Sequence, residues 1–253
     1  MKIRLLGSLC DSRLEGYLTS FLVDDHIAVD AGSIGYVASA DQQLGVKDLL
    51  ITHSHADHIS SLPVWLENTW EDRSEPVRIH ASHAVMDCLK EDLFNDRLWP
   101  DLLNRAPAGR PFFELIEVEP RQTFRIADKE ITAIPVSHPV PTLAYMIREG
   151  DTSVLIVGDT GPTTEVWDLA RQEENLKAVF LEASFPNGQA KMAALTKHLT
   201  PELFALEKGK LQRDLPFIAF HIKARYRDEI VAELESLQDP MVQVGAANKD
   251  YDF

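Results

Sequence analysis

Cysteine is nearly absent from this chain. Two occur in 253 residues, Cys10 and Cys88, and they form neither a metal-spacing pair nor a redox motif. A cytoplasmic protein with free thiols is the simplest account. Positive charge is scarce as well: 25 Lys and Arg stand against 40 Asp and Glu, for a net charge of −15. A general nucleic-acid binder needs a basic face to displace counterions, and no such block exists here. That argues against a long nucleic acid as partner. It leaves room for a small anionic substrate, because divalent cations invert the local field. No apolar run reaches 18 residues, so no membrane span is expected. The start, Met1-Lys2-Ile3-Arg4-Leu5-Leu6-Gly7, breaks too early for a signal-peptide apolar region. Internal repeats, low-complexity tracts and linkers are also lacking. A single domain over 1–253 is the expectation, since the 45% hydrophobic content suffices for a sizeable core.

Histidine is what the chain has in an unusual place. His53-Ser54-His55-Ala56-Asp57-His58 puts three imidazoles and a carboxylate into six residues, right after the apolar run Leu49-Leu50-Ile51. His, Asp and Glu are the usual ligands of zinc and similar ions. His53 and His55, two apart, can serve one metal, while Asp57 and His58 turn toward a second. Two metals about 3.5–4 Å apart can activate a water and clamp an oxyanion.

A pass along the chain predicts many short strands and few long helices. Strands are expected at Ile3–Leu6, Tyr17–Val23 and Ile27–Val29, with Asp24-Asp25 as the turn between the last two. Ser33–Leu44 reads as one short helix stopped by Gly45. Pro63 opens a helix to about Glu71. Val85–Phe94 reads as helical with Val85, Leu89 and Leu93 on one face, and 96–111 as a loop or partly helical insert. Further strands are expected near residues 77–79, 115–118, 124–126, 131–136, 144–147, 154–157, 179–181 and 218–220. Helices are expected at Thr163–Gln172 and Tyr226–Leu237, the latter with Ile230, Val231 and Leu234 inward. Polar residues recur at the ends of the apolar strands: His53 to His58, then His138, Asp159, Glu182 and His221. Loops at strand ends of a rigid sheet are where sites are usually built.

The series His-x-His-x-Asp-His, a distant His138, Gly158-Asp159-Thr160 and a last His221 resembles the metallo-β-lactamase superfamily. The implied fold is an α/β (α+β) four-layer αββα sandwich with a dinuclear site along one edge. Glu182-Ala183-Ser184-Phe185-Pro186, His198-Leu199-Thr200 and His221-Ile222-Lys223-Ala224-Arg225-Tyr226 are similar to its phosphodiesterase branch. Both tRNase Z and the class II cyclic-nucleotide phosphodiesterases carry such motifs. Ser-Phe-Pro and His-Leu-Thr-Pro lean to class II, although Ala56 stands where class II enzymes commonly have leucine.

By that resemblance, His53, His55 and His138 hold one ion, Asp57, His58 and His221 hold the other, and Asp159 bridges. The ions are expected to be Zn2+, with Mn2+ or Fe compatible with the same donors. Asp57 is also assigned to catalysis. His198 is the expected proton donor to the leaving alkoxide, oriented and charged by Glu182. The expected reaction opens a 3′,5′-cyclic nucleotide, cAMP or cGMP, to the 5′-monophosphate. Cyclic dinucleotides, a tRNase Z-like nuclease and a thioester or lactam hydrolase are the alternatives. No membrane partner is expected, and a homodimer stays open. His26, His80 and His83 read as structural, Trp65 and Trp70 as core. Phe185 could stack on a base, and Lys223 and Arg225 could meet a phosphate.

Overall fold

The computed structural model describes residues 1–7 and 18–253; Cys10 and Tyr17 fall outside them. The chain divides into two compact units, one of residues 2–119 and 247–252, the other of residues 120–246 with Met1 and Phe253.

The first unit is built on a seven-stranded sheet. It contains β1 (Lys2–Leu5), β2 (Phe21–Val23), β3 (Ile27–Val29), β4 (Asp48–Leu50), β5 (Val77–Ala81) and β6 (Phe113–Glu117), side by side in that order. The C-terminal strand Asp250–Asp252 closes the edge beside β1. β1 to β3 run antiparallel and β3 to β6 parallel. The hairpin between β2 and β3 turns at Asp24 and Asp25, both left-handed with φ of 48° and 59°. Aspartate tolerates that geometry, which matches the twist of the flanking strands. β2, β3 and β4 are buried on both faces, as parallel sheets with apolar runs usually are.

Among the described residues, this unit carries the α-helices α1 (Ile34–Val37), α2 (Ala40–Gly45), α3 (Ala56–Ile59), α4 (Leu62–Trp70) and α5 (His83–Cys88). The single helix expected over 33–44 is two. Ser39 breaks it, because its side chain accepts from the Gln42 amide while the Gln42 side chain accepts from the Ser39 amide. This reciprocal box starts a new helix. The helix expected to Phe94 ends earlier and passes into a π turn, with Phe94 N–H bonded to Leu89 O at 2.8 Å. Trp65 and Leu66 of α4 pack with Leu49, Ile79, Val85 and Leu89 in one core. Trp65 is wholly buried, as expected. Gly35 permits the contact between α1 and α4: a Cβ there would lie 2.5 Å from Ser61 O. Residues 96–111 form neither helix nor strand. Arg110 pins their end by bonding to the carbonyls of Trp70 and Glu71.

The second unit holds a second seven-stranded sheet. Its strands are β7 (Thr123–Ile126), β8 (Lys129–Val136), β9 (Thr142–Glu149), β10 (Thr152–Ile156), β11 (Leu176–Glu182), β12 (Phe217–Phe220) and β13 (Val242–Val244), again in chain order across the sheet. β7 to β10 form an antiparallel meander; β10 to β13 are parallel. Pro135 is tolerated in β8 because it lies beyond the last pair with β7, Thr123 with Thr132. Helices α6 (Glu165–Gln172), α7 (Ala190–Thr196), α8 (Pro201–Leu211) and α9 (Arg227–Ser236) complete the unit. Trp167, Phe204, Phe217, Ile230 and Leu234 form its core, with Val231 only partly buried. α8 lies outside the elements expected from the sequence, although Thr200 at its N-cap and Pro201 at its first turn are standard start signals. α7 is also unexpected, for a different reason. Only Ala193 of that helix is buried, so there is no apolar face to see.

Candidate functional site

In the first unit, the end of β4 feeds Thr52, His53 and the short helix α3. The rings of His53, His55 and His58 pack on one another, with centroids 4.7 Å apart for the first two and 4.1 Å for His53 and His58. His53 and His58 are wholly buried; His55 and Asp57 are half-buried. One carboxylate organises the cluster. Asp30 follows β3, is 1% exposed and takes a left-handed φ of 59°. Its Oδ1 accepts from the Thr52 amide at 2.8 Å. Its Oδ2 accepts from Thr52 Oγ1 at 2.8 Å and from His58 Nδ1 at 2.6 Å. Having donated its one proton to Asp30, Thr52 Oγ1 accepts from His53 Nδ1 at 3.0 Å. The rings of His53 and His58 are thus fixed in one tautomer, with Nε2 as the nitrogen each would offer a metal. The backbone of the loop is pinned too: Asp57 O accepts from Thr19 N, and His58 O from Ala31 N. Gly32 is required here, since a Cβ would stand 2.0 Å from Asp57 O.

In the second unit the polar residues gather along one edge of the sheet. β8, β10, β11 and β12 all run in the same direction, so their C-terminal ends, followed by His138, Asp159, Glu182 and His221, share that edge. His198 joins them from the loop between α7 and α8. All five are buried. Asp159 Oδ2 lies 3.6 Å from His221 Nε2 and 3.9 Å from His198 Nδ1. Ligand atoms of His138, Asp159 and His198 lie within 4.8 Å of one another, as do those of Glu182, His198 and His221.

Every histidine of this edge has its Nδ1 engaged. That of His138 donates to Lys197 O at 3.1 Å, and Lys197 Nζ returns a bond to His138 O at 3.1 Å. That of His221 meets Ser184 Oγ at 2.9 Å, and the same hydroxyl donates to His221 O at 3.0 Å. That of His198 meets Glu182 Oε1 at 2.6 Å. Glu182 also accepts from the amides of Thr160, Ser184 and Leu199. Four donors thus converge on one fully buried carboxyl group, so its polar oxygens are well satisfied. Burial pushes the His198 imidazolium toward losing its proton, but the charge and hydrogen bond of Glu182, with help from Asp159, outweigh burial and the opposing charge of Lys223. The His198 pKa is raised above 6.5.

The donor set suits the expected metals. Among the described residues it offers imidazole nitrogens and carboxylate oxygens and no thiolate, which fits zinc, manganese or iron. The Nδ1 bonds supply the outer shell that metal-bound histidines usually have.

Four supporting residues escaped the sequence reading. Asp30 stands just past the apolar strand Ile27–Val29, so the rule that found His138, Asp159, Glu182 and His221 would have found it. Thr52, Ser184 and Lys197 carry no such signal. The other histidines lie elsewhere. His26 is exposed in the hairpin turn, His80 is bonded to buried Asp48 at 2.8 Å, and His83 is an exposed residue beside Asp87 and Glu117. Phe185 is 7% exposed and faces His198, Tyr226 and Lys223, so its ring is part of the protein interior.

Residues 37–216 match the Beta-lactamase superfamily domain, and the chain belongs to that superfamily. A probable 3′,5′-cyclic-nucleotide phosphodiesterase of Yersinia pestis is 25% identical across 89% of this chain and 81% of its own length. The 3′,5′-cyclic-nucleotide phosphodiesterase 1 of Saccharomyces cerevisiae is 26% identical across 77% of this chain, a match spanning 61% of the yeast protein. A ribonuclease Z of Methanococcus maripaludis is 24% identical across 81% of this chain and 78% of its own. The structure of unliganded yeast PDE1 superposes with a TM-score of 0.81 at 19% identity, covering 98% of each chain. The fold is the metallo-β-lactamase fold, two sheets flanked by helices, which is the αββα class implied by the motifs.

Proposed function

We propose that the chain is a metal-dependent phosphodiesterase that opens 3′,5′-cyclic nucleotides to 5′-monophosphates, working as one catalytic domain over residues 1–253 in the cytoplasm. His53, His55 and His138 are assigned to one divalent ion and Asp57, His58 and His221 to a second, with Asp159 shared and zinc the favoured metal. Such ions supply Lewis acidity and a nucleophile at neutral pH. Asp57 has a second duty, to orient that nucleophile. The observation that carries the reading is the buried Glu182–His198 pair. With Nδ1 held at 2.6 Å by Glu182, His198 keeps a proton at Nε2 for the leaving 3′-oxygen. An alkoxide is a poor leaving group and gains from that proton. The similarity to cyclic-nucleotide phosphodiesterases supports the same substrate class.

Product analysis tests the reading. The metal-loaded protein should release 5′-AMP from cAMP with kcat/KM of about 10⁴ M⁻¹s⁻¹ or more. Inert cAMP and cGMP, with a cyclic dinucleotide or a pre-tRNA cleaved instead, would overturn the substrate and leave the metal chemistry.

A further inference from the structure

We propose that Lys223 is the anion anchor of this site, seated on Phe185 so that its ammonium meets the phosphate of substrate and product. The proposal rests on the phosphodiesterase reading above. The backbone places Lys223 with little freedom. His221 takes a left-handed φ of 55°, which turns the chain sharply past β12. Ile222 is buried in the core at 2% exposure, and Lys223 O accepts from Tyr226 N at 2.9 Å to close a 3-10 turn. Between these two fixed points Lys223 is half-buried rather than splayed into solvent. Its Nζ stands 5.0 Å from the centre of the Phe185 ring. Two other rings flank it, His198 at 5.8 Å and Tyr226 at 6.3 Å. Phe185 therefore links the ammonium to the proposed proton donor, and a base cannot stack where Lys223 already lies. Cation–π seating holds an ammonium without neutralising it.

Charge makes the case sharper. Acidic residues outnumber basic ones 40 to 25, yet Lys223 forms no salt bridge among the described residues. The other lysines that are not exposed, Lys2, Lys129, Lys208 and Lys210, all pair with carboxylates, whereas the exposed lysines do not need to. A half-buried cation left without a carboxylate, one ring away from His198, is suited to an anion that arrives from outside. A compact ammonium with three donors acts on phosphate as a point charge. It should then favour the dianionic monoester product over the monoanionic diester, so product inhibition follows from the same contact. Arg225 is a poorer candidate, being exposed and turned over Tyr226 at 5.7 Å.

The test is calorimetric titration of inorganic phosphate into the intact protein of known metal content. Wild type is compared with Lys223→Gln, Lys223→Arg and Phe185→Leu. Lys223→Gln should weaken phosphate binding roughly ten-fold, the loss of one charge-assisted contact. Lys223→Arg should stay within about three-fold of wild type. Phe185→Leu, which keeps the core filled, should fall between, by roughly two- to five-fold. Phosphate binding by Lys223→Gln within two-fold of wild type, or no phosphate binding by wild type at millimolar concentration, overturns the proposal. If phosphate binding depends on Lys223 while no phosphodiester is turned over, the anchor stands and the phosphodiesterase reading fails. If cAMP is hydrolysed while phosphate binding ignores Lys223, the reverse holds.

Discussion

In the loop after β4, four donors sit within six residues, and a single buried carboxylate, Asp30, holds two of their rings. Along the edge of the second sheet, the donors are spread from residue 138 to 221 and each ring has a different nearest partner: a carbonyl for His138, a hydroxyl for His221, a carboxylate for His198, with the Ser184 hydroxyl also 3.3 Å from His198 Nδ1. The first arrangement is centralised, the second distributed. A centralised support can be felled at one point, while a distributed one should lose its members singly. The distributed edge is also the one that carries a charged hydrogen-bonded pair beyond the metal donors, so chemistry and metal binding should be separable there.

His198→Ala tests that separation and should show the largest effect. General acid catalysis is typically worth about 10²–10⁴-fold, so turnover of cAMP should fall by that much. Loss on bis-p-nitrophenyl phosphate should be far smaller, because its leaving group needs no proton. Metal content measured by elemental analysis should stay at the wild-type level. Equal losses on both substrates would remove the donor role. A loss of metal would place His198 among the ligands, where its nearness to His138 and Asp159 would also allow it.

Asp30→Asn probes the centralised side. The amide keeps shape but cannot accept from Thr52 and His58 at the same two oxygens. Outer-shell losses of this kind cost about 10–100-fold in metal affinity. Both histidines should be affected together, read as a weaker retention of metal under a chelator series and a lower Tm of the metal-free protein. Metal affinity unchanged by Asp30→Asn would show that the loop holds its shape without that carboxylate.

The two regions were not equally legible in the sequence. The His53–His58 motif is contiguous, and the strand that precedes it is an apolar run, so both motif and position could be read directly. The edge residues were legible only because polar residues interrupt apolar strands at their ends. Their partners were not: Ser184 and Lys197 matter through backbone carbonyls and a hydroxyl that only folding brings near. Secondary structure failed where local chemistry overrode pattern. The Ser39–Gln42 box split a helix that apolar spacing alone made continuous, and α7 was invisible because it buries one alanine. Val242–Val244 and Asp250–Asp252 pair at sheet edges, where three residues give too little periodicity to read.

The pH profile follows from the direction of the His198 shift. An acid must be protonated to donate. With its pKa raised above 6.5, His198 keeps its proton into a higher pH range than a free imidazole. Turnover of cAMP should therefore fall as pH rises through that raised value, by about ten-fold per unit once above it. Glu182→Gln removes the charge that raises it, so the fall should begin at lower pH. The profile on bis-p-nitrophenyl phosphate should lack this limb. An alkaline limb that Glu182→Gln leaves in place would assign it to another group.

Ser184→Ala should give the smallest effect and is the sharpest check on distribution. The hydroxyl makes two bonds to His221, accepting from Nδ1 at 2.9 Å and donating to the carbonyl at 3.0 Å. Its loss leaves two buried polar groups of one residue to find other partners, at a cost of about 1–3 kcal/mol in stability. His221 would keep its place through its left-handed backbone and the buried Ile222 beside it. Metal affinity should therefore fall by less than about ten-fold, below the loss from Asp30→Asn. The same hydroxyl also lies 3.3 Å from His198 Nδ1, but Glu182 holds that nitrogen closer, at 2.6 Å, so the ratio of cAMP to bis-p-nitrophenyl phosphate turnover should change little. If Ser184→Ala instead abolishes metal retention as fully as Asp30→Asn, the edge is not distributed: it hangs on one hydroxyl as the loop hangs on one aspartate.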